Sequence, residues 1–176
     1  MSQRTSPPFR ADHVGSLLRP PALLKARAAH AAGDLDDAGL RAAEDDAIRD
    51  VVTLQHDAGL RTVTDGEFRR ASWHMDFIYQ LDGITKAPGD LKVQFHNAEG
   101  DIEFTPAALQ IDGKLGLGHT IFGEDFSFLA EQAEGDQVPK LTIPSPSMVH
   151  YRGGRAAIDK DLYPELDAFW TDLTAA

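Results

Sequence analysis

The spacing of apolar residues predicts two helices in the first sixty residues. Pro21 begins the first, because proline is tolerated in an opening helical turn, and Gly33 ends it. Apolar residues then recur at intervals of three and four, which predicts a long amphipathic helix that ends at Gly59. The predicted apolar stripe of this helix consists of Leu40, Ala43, Ala47, Val51, Leu54 and Ala58.

Four short apolar segments are predicted as core strands, and helical patterns lie between and after them. The predicted strands are 11–17, 62–67, 115–122 and 140–146, and the later helices are 73–82, 126–134 and 163–176. Strict alternation around residues 91–104, with a turn-forming Asn-Ala-Glu-Gly sequence in the middle, predicts a β-hairpin insertion over about 90–113.

This order of elements predicts an α/β fold with a parallel sheet covered by helices. A closed (β/α)₈ TIM barrel takes about 250 residues, and the chain has 176. The pattern fits either a small open sheet or a partial (β/α)8 barrel of about the first four β/α units. Residues 1–10 are predicted to be a disordered leader before one domain over 11–176. A half-barrel would expose sheet edges, so we expect it to form a homo-oligomer, pair with a second-half polypeptide or aggregate.

Composition narrows the possible partners. Asp and Glu outnumber Lys and Arg by 28 to 17, giving a formal net charge of −11. That charge disfavours nucleic acid and anionic membrane surfaces as partners. No apolar run approaches the roughly 18 residues of a membrane span, and the first twenty residues lack a signal-peptide core, so we expect a cytoplasmic protein. The chain has no cysteine, which excludes disulfides and thiolate metal ligands.

Polar residues with useful chemistry follow three of the predicted strands. In parallel α/β folds such residues collect at the carboxyl ends of the strands. Glycine at position 15 lets the backbone approach a ligand, Ser16 offers a hydroxyl, and the Glu67 carboxylate suits an ammonium group. Equally, these residues could only build tight turns and cap helices. The three groups are 13–16, 65–67 and 144–146.

Asp65 and Glu67 allow three interpretations. In an extended chain two such residues share a face, and they could perform acid–base catalysis if one pKa were raised. They could also bind a cation, or point into solvent with Arg69 and Arg70 as partners. The seven histidines form no HxH or HExxH pattern, so their distribution favours chance over a metal site.

Three segments carry a resemblance to a known family. In chain order they are ADHVGSLLRP, GLRTVTDGEFRRASWHMDF and PKLTIPSPSMVHYRGG. Together they resemble the cobalamin-independent methionine synthase family, in particular its catalytic C-terminal barrel and the shorter bacterial single-barrel relatives. The resemblance extends over about residues 9–172, and its most specific parts are HVGSLLRP and DGEFRR.

The resemblance implies the N-terminal half of a barrel related to the uroporphyrinogen decarboxylase group. The family transfers a methyl group from methyltetrahydrofolate to the thiol of homocysteine. By the resemblance, Val14, Gly15 and Ser16 contact the amino-acid part of homocysteine or a similar thiol, and Glu67 binds its ammonium group. Asp65 and His13 are the catalytic candidates.

The sequence also departs from the family. Asp65 stands where typical methionine synthases have His, and the Ile-Pro-Ser-Pro sequence at 143–146 replaces a Thr-Gly-Pro type of turn. The family's Zn²⁺ is held by His, Cys, Glu and Cys in the second half of the barrel, so we expect no metal ligands in this chain and no methyl transfer by it alone. The methyl donor and acceptor stay open. The alternatives are a related zinc-dependent thiol alkyltransferase and a non-catalytic truncated remnant or binding module.

Overall fold

Helices and short strands alternate along the chain in the computed structural model, which describes residues 6–7, 11–88, 93–97, 100–104 and 107–176. The helices are α1 (Pro21–Ala32), α2 (Asp37–Asp57), α3 (Met75–Ile78), α4 (Gly123–Gln132), α5 (Ser147–Gly153) and α6 (Leu166–Ala175), with a 3₁₀ turn at Gly154–Ala157. The strands are β1 (Thr62–Val63), β2 (Asp82–Ala87), β3 (Val93–Asn97), β4 (Gly100–Phe104), β5 (Ala108–Gly116) and β6 (Val138–Pro139).

The chain divides into two units, and each unit is built from two separate stretches. Unit 1 consists of Met1–Ala71 and Phe122–Thr142, and unit 2 consists of Ser72–Ile121 and Ile143–Ala176. Unit 1 therefore contains α1, α2, β1, α4 and β6, while unit 2 contains the remaining elements.

In unit 1, three helices pack around a short parallel strand pair. β1 pairs with β6, so that Thr62 lies opposite Val138 and Val63 opposite Pro139. Burial of the apolar faces of α2 and α4 against this pair, and of α1 against α2, supplies the hydrophobic stabilisation. The buried core consists of Leu23, Ala47, Ile48, Val51, Val52, Val63, Phe68 and Leu129.

Both predicted helices of the first sixty residues are present, but the buried face of α2 differs from the predicted stripe. Leu54 is 63% exposed, and Ala58 lies beyond the helix as its C-cap. Instead, Glu44 and Gln55 are buried on the core-facing side together with apolar residues. A purely hydrophobic criterion misplaces the face because buried polar residues are tolerated where they have partners.

Glu44 belongs to a partly buried group of three arginines and three carboxylates, which we call the Arg69 network. The Arg69 guanidinium contacts Glu44 Oε2 at 3.3 Å, Asp45 Oδ1 at 2.5 Å and Asp125 Oδ1 at 3.2 Å. Burial raises the pKa of Glu44, although the arginines around it oppose that shift. The network ties α2 and α4 to the turn that follows β1. Its other members are Arg27, which contacts Glu44, and Arg41, which contacts Asp45 and Asp125.

Unit 2 contains an antiparallel strand pair and a hairpin. β2 pairs with β5, with an irregularity between Asp82 and Ile84, and Ile111 of β5 also bridges to Ile158. Pairing of β3 with β4 forms a hairpin where the alternation predicts one. Tyr163 packs edge-on against Phe169 of α6, with ring centroids 5.9 Å apart.

Several strand predictions are wrong. Residues 11–20 have no strand, because the hydrogen bonds of this segment go to the turn after β1, as described below. The predicted strand 115–122 is replaced by β5, which overlaps it only at residues 115 and 116 and lies beside β2 in an antiparallel pair. The predicted strand 140–146 begins too late, since the residues paired with β1 are Val138 and Pro139.

The helix predicted over 73–82 is also too long. Only Met75–Ile78 is α-helical, and β2 begins at Asp82. Trp73, predicted on the apolar face, is 51% exposed.

The α/β class is correct, but the extended parallel sheet is not observed. In the described ranges each sheet has two strands, one pair parallel and two antiparallel, and none closes on itself. The leader lies outside the described residues apart from Ser6 and Pro7, as do Leu91 and part of the hairpin turn. Every helix in the described ranges is too short or too polar to cross a bilayer.

Candidate functional site

The candidate site in unit 1 is built on a tight turn after β1, residues 65–70, which we call the Glu67 turn. Gly66 and Glu67 are both left-handed, with φ angles of 67° and 58°. Glycine adopts this conformation freely, but a residue with a side chain does so at a cost and persists there only where surrounding contacts hold it. Such strain often marks a functional position, and Glu67 is one of two residues other than glycine with positive φ among those described.

The turn changes the relation between the two carboxylates. Since Gly66 and Glu67 are not extended, the expectation that Asp65 and Glu67 share a strand face is wrong. Asp65 Oδ1 instead accepts a hydrogen bond from the Glu67 backbone N–H at 2.9 Å. Both side chains are buried, at 6% and 5% exposure, so the interpretation as a solvated pair is wrong as well. Burial raises the pKa of Asp65, and this effect outweighs the opposing hydrogen bond from Glu67.

The Glu67 carboxylate is held through one oxygen. Oε1 accepts a hydrogen bond from Thr142 Oγ1 at 2.8 Å and lies 3.7 Å from Arg70 Nη1. Arg70 also donates to the Thr142 carbonyl at 2.8 Å, and its guanidinium lies 4.5 Å from the centre of the Phe122 ring. Within the described residues Oε2 accepts no hydrogen bond. The carboxylate is thus fixed in position while one oxygen is available to a donor.

The segment containing Gly15 lies directly beside this turn. The Gly15 carbonyl accepts a hydrogen bond from Thr64 Oγ1 at 2.7 Å, and the Leu17 N–H donates to the Gly66 carbonyl at 3.1 Å. A methyl group on Gly15 would lie 2.6 Å from Thr142 Cγ2, which is closer than side chains tolerate. A side chain at position 15 would therefore displace Thr142, the threonine that holds Glu67.

The other predicted ligand-binding residues are exposed. Val14 is 83% exposed, and Ser16 is exposed as well. The structure therefore brings the 14–16 segment and Glu67 to the same place, with backbone and Thr142 in contact and the Ser16 hydroxyl at the surface. Their roles in ligand binding stay predictions.

The His13 side chain is held by a hydrogen-bond network centred on Gln55. Its Nε2 lies 2.8 Å from Gln55 Oε1, which also accepts from the Thr64 N–H. Because the Gln55 amide donates to Val51 and Thr64, its oxygen faces the imidazole, and His13 Nε2 is the donor. A catalytic role for His13 stays a prediction.

Several residues of the site were not predicted as site residues. Thr142 lies inside KLTIPSP, which the sequence pattern predicts as a strand, and Arg19 lies near the end of HVGSLLRP. The sequence predicts Arg70 only as a solvent-side partner of the carboxylates. Neighbouring family-like motifs were the available signal, but spacing could not show that residues 67 and 142 meet.

Among the described residues, the side chains that could bind zinc are dispersed. The sequence has no cysteine, and among the described residues no three His, Asp or Glu side chains are grouped as a metal site requires. The residues present therefore do not fit the zinc site that the family resemblance implies.

Unit 2 contains a separate apolar cavity of about 320 Å³ next to Ser145. Ser145 Oγ lies 2.9 Å from Ser147 Oγ, and both flank Pro146 at the start of α5. The cavity lining includes Phe77, Leu117, Ile121, Ile143, Val149 and Leu173.

The raised pKa of Asp65 predicts how stability depends on pH. The folded chain binds this proton more tightly than the unfolded chain, so the free energy of unfolding falls as pH rises from the ordinary value of 3.8 through the folded pKa. Asp65→Asn keeps the Oδ1 acceptor and removes the charge. We expect it to raise the thermal midpoint at pH 7 and to flatten the decline above about pH 4.

Asp12 serves as a control, because its pKa is shifted in the opposite direction to that of Asp65. Hydrogen bonds from Lys140 and Thr62 lower the pKa of Asp12 to about 2, so its contribution to stability is present above 3.8 and is lost as pH falls towards 2. Asp12→Asn should lower the thermal midpoint at pH 7. If Asp65→Asn lowers it too in a circular-dichroism series from pH 3 to 8, the prediction for Asp65 is wrong.

Comparison with known proteins shows similarity over nearly the whole chain. No family model matches the sequence. Two uncharacterized proteins of Bacillus subtilis strain 168 are similar to it: YxjG is 44% identical over 175 residues, and YxjH is 42% identical over 170 residues. These alignments cover 99% and 96% of this chain but 44% and 43% of the relatives. The chain thus spans less than half the length of the curated relatives it matches.

Solved structures are also similar to this chain over nearly its whole length. A candidate vitamin-B12-independent methionine synthase from Listeria monocytogenes is 36% identical, with a TM-score of 0.76 over 96% of this chain and 46% of that one. A B12-independent methionine synthase from Shewanella sp. W3-18-1, solved with selenomethionine, is 22% identical, with a TM-score of 0.56 over 92% of this chain and 47% of that one. The second likeness concerns the fold alone. This chain therefore has the fold of about half of a B12-independent methionine synthase-like protein.

Proposed function

We propose that the chain belongs to the cobalamin-independent methionine synthase family and supplies an amino-acid-binding half-site for homocysteine. The observation that carries this proposal is the buried Glu67 carboxylate, held in a left-handed turn by Thr142 and passed closely by Gly15. The motifs HVGSLLRP and DGEFRR and the 36% identity to the Listeria protein support it. We also propose that the chain is the N-terminal half of a (β/α)₈ barrel, since it matches 46% of that structure.

In this proposal Glu67 binds the ammonium group of homocysteine. Oε2 has no partner among the described residues, while Oε1 is fixed by Thr142, so an incoming N–H donor meets a carboxylate that is already oriented. A carboxylate and an ammonium form a charge-assisted hydrogen bond, which is stronger than a neutral one. Backbone groups of Val14 and Gly15 and the exposed Ser16 hydroxyl contact the rest of the amino acid.

The reaction itself is a methyl transfer between two bound molecules. The sulfur of homocysteine loses its proton and forms a bond to the methyl carbon, while the bond between that carbon and N5 of methyltetrahydrofolate breaks and N5 takes up a proton, which leaves tetrahydrofolate. The residues described here bind and orient the acceptor. We place the zinc ligands, and the groups that hold the donor, in a second-half polypeptide corresponding to the part of the relatives that this chain does not span.

Calorimetric titration with homocysteine tests the half-site. We expect Glu67→Gln to weaken binding about 10-fold or more, because a hydrogen bond to a charged group contributes roughly 1.5–3 kcal/mol. 4-Mercaptobutyrate is homocysteine without its amino group, so its affinity should not change in this variant. Glu131→Gln, on the exposed side of α4, is the matched control. Equal loss for both thiols, or none for homocysteine, would contradict the assignment of Glu67.

One difference from the sequence pattern of typical methionine synthases favours a second candidate function. Asp65 stands where typical methionine synthases have His, which supports a related thiol alkyltransferase with another acceptor. The same titration with a series of thiols distinguishes the two, since the preferred acceptor binds most tightly. A non-catalytic remnant is distinguished by co-expression with a second-half polypeptide of a relative, because methionine formation by the pair would exclude it.

A further inference from the structure

Two arginines of unit 1 hold the peptide carbonyls of the Glu67 turn. Arg19 Nη2 donates to the carbonyl of Glu67 at 2.9 Å and to the carbonyl of Arg70 at 2.5 Å. Arg27 Nη1 lies 3.1 Å from the carbonyl of Phe68 and 3.4 Å from that of Arg69. Four consecutive carbonyl oxygens therefore face guanidinium donors from outside the turn.

Arg19 holds the strained residue itself. A residue with a side chain keeps a φ of 58° only where its neighbours fix the backbone. Arg19 Nη2 carries two N–H groups, one for the carbonyl of Glu67 and one for the carbonyl of Arg70. These two hydrogen bonds link Glu67 to the end of the turn, where the Arg70 N–H also donates to the Glu67 carbonyl at 3.1 Å. Asp65 fixes the preceding peptide by accepting from the Glu67 N–H.

The contact leaves the carboxylate charge available. Arg19 donates to neutral carbonyl oxygens, so it fixes the backbone of Glu67 without forming an ion pair with the side chain. The ion-pair contact of the Glu67 carboxylate is instead with Arg70, at 3.7 Å. A guanidinium is suited to this task because its planar N–H groups bind two acceptors at fixed angles, whereas a lysine ammonium acts as a point charge.

We propose that Arg19 is a positioning residue that sets the left-handed conformation of Glu67 and thereby places its carboxylate against the ammonium group of the amino-acid ligand. This inference rests on the proposed function for the identity of the ligand. Arg19 thus acts through the backbone of a second segment, 48 positions away along the chain.

The first test measures the contribution of the amino group to binding. Homocysteine and 4-mercaptobutyrate are titrated into the parent chain, Arg19→Gln and Arg19→Lys. We expect Arg19→Gln to lower the affinity ratio of the two thiols by about 10-fold, the size of one charge-assisted hydrogen bond, while 4-mercaptobutyrate binds as before. Arg19→Lys should restore part of the ratio. Arg49→Lys is the matched control and should leave the ratio unchanged, because the ion pair of Arg49 with Asp46 is exposed and lies outside the Glu67 turn.

The second test needs no ligand. NMR of chain labelled at glutamate, by three-bond couplings and carbon shifts, reports the φ angle of Glu67 in the parent and in Arg19→Gln. We expect the variant to populate negative φ, and a Glu67 that stays left-handed in a folded Arg19→Gln chain overturns the proposal. If φ changes but the parent does not distinguish the two thiols, the proposed function fails and the assignment of Arg19 to ligand binding is overturned with it. If φ and the thiol ratio both change, the proposal is supported.

Discussion

Arg69→Ala is expected to lower the free energy of unfolding by about 3–5 kcal/mol, the usual cost of removing one partner from a buried ionic group. The Arg69 side chain is only 6% exposed and contacts three carboxylates, from Glu44, Asp45 and Asp125. Arg27 and Arg41 would remain, but they already bind the same carboxylates from other directions. The variant therefore leaves three carboxylates with only two arginines, so part of the negative charge loses its partner. Urea unfolding followed by circular dichroism measures the change.

Arg49→Ala is a matched control for this variant. Arg49 and Arg69 both lie over the Phe128 ring, at 5.3 Å and 5.1 Å from its centre. The ion pair of Arg49 with Asp46 is exposed, so its loss should cost at most about 1 kcal/mol. The effect of Arg69→Ala should also shrink as pH falls, since protonation of the carboxylates removes the unpaired charge. Similar small losses for both variants would contradict a structural role of the network.

Gly15→Ala is expected to lower the free energy of unfolding by about 1–3 kcal/mol, which is typical of a side chain forced into a filled space. The added methyl would lie 2.6 Å from Thr142 Cγ2 and 2.8 Å from Thr142 Oγ1, so Thr142 must move. Because Thr142 Oγ1 holds Glu67 Oε1, the variant should also weaken binding of homocysteine. Chemical unfolding and calorimetric titration of the same preparation measure both effects.

A double-mutant cycle isolates the clash between Gly15 and Thr142. Thr142→Ala removes the two atoms nearest to the added methyl and leaves Cβ at 3.2 Å. Gly15→Ala should therefore cost much less in the Thr142→Ala background, with a coupling in the range of about 0.5–3 kcal/mol found for residues in contact. Simple additivity of the two substitutions would show that the cost of the added methyl does not come from Thr142 and would contradict the proposed clash.

Local patterns predicted the local elements of the chain. Pro21 and Gly33 bound α1 as predicted, and Gly59 follows the end of α2, because first-turn proline and left-handed glycine act through the backbone alone. The buried face of α2 was misplaced, since Glu44 and Gln55 are buried only by virtue of partners distant in sequence. Burial of such residues depends on tertiary contacts that a periodicity does not contain.

In the candidate site, too, the sequence predicts local features but not the contacts between distant segments. The sequence could indicate that Gly15, Asp65 and Glu67 lie in chemically unusual segments, and the structure places those segments side by side. It could not indicate that Glu67 is left-handed, since glycine and not glutamate is the residue expected there. Nor could spacing reveal Thr142, whose hydroxyl reaches Glu67 across 75 positions (142 − 67 = 75).

Unit 1 can be completed only late in synthesis, because it is built from two separate stretches of the chain. β1 pairs with β6, so Thr62 lies opposite Val138, which is 76 positions later in the chain. Contacts of such range are slow to form, and they must wait until the later partner has been synthesised. During synthesis the Glu67 turn therefore leaves the ribosome well before Thr142, whose hydroxyl holds the Glu67 carboxylate. The nascent chain lacks the contact between Thr142 and Glu67 until α4 and β6 have left the exit tunnel.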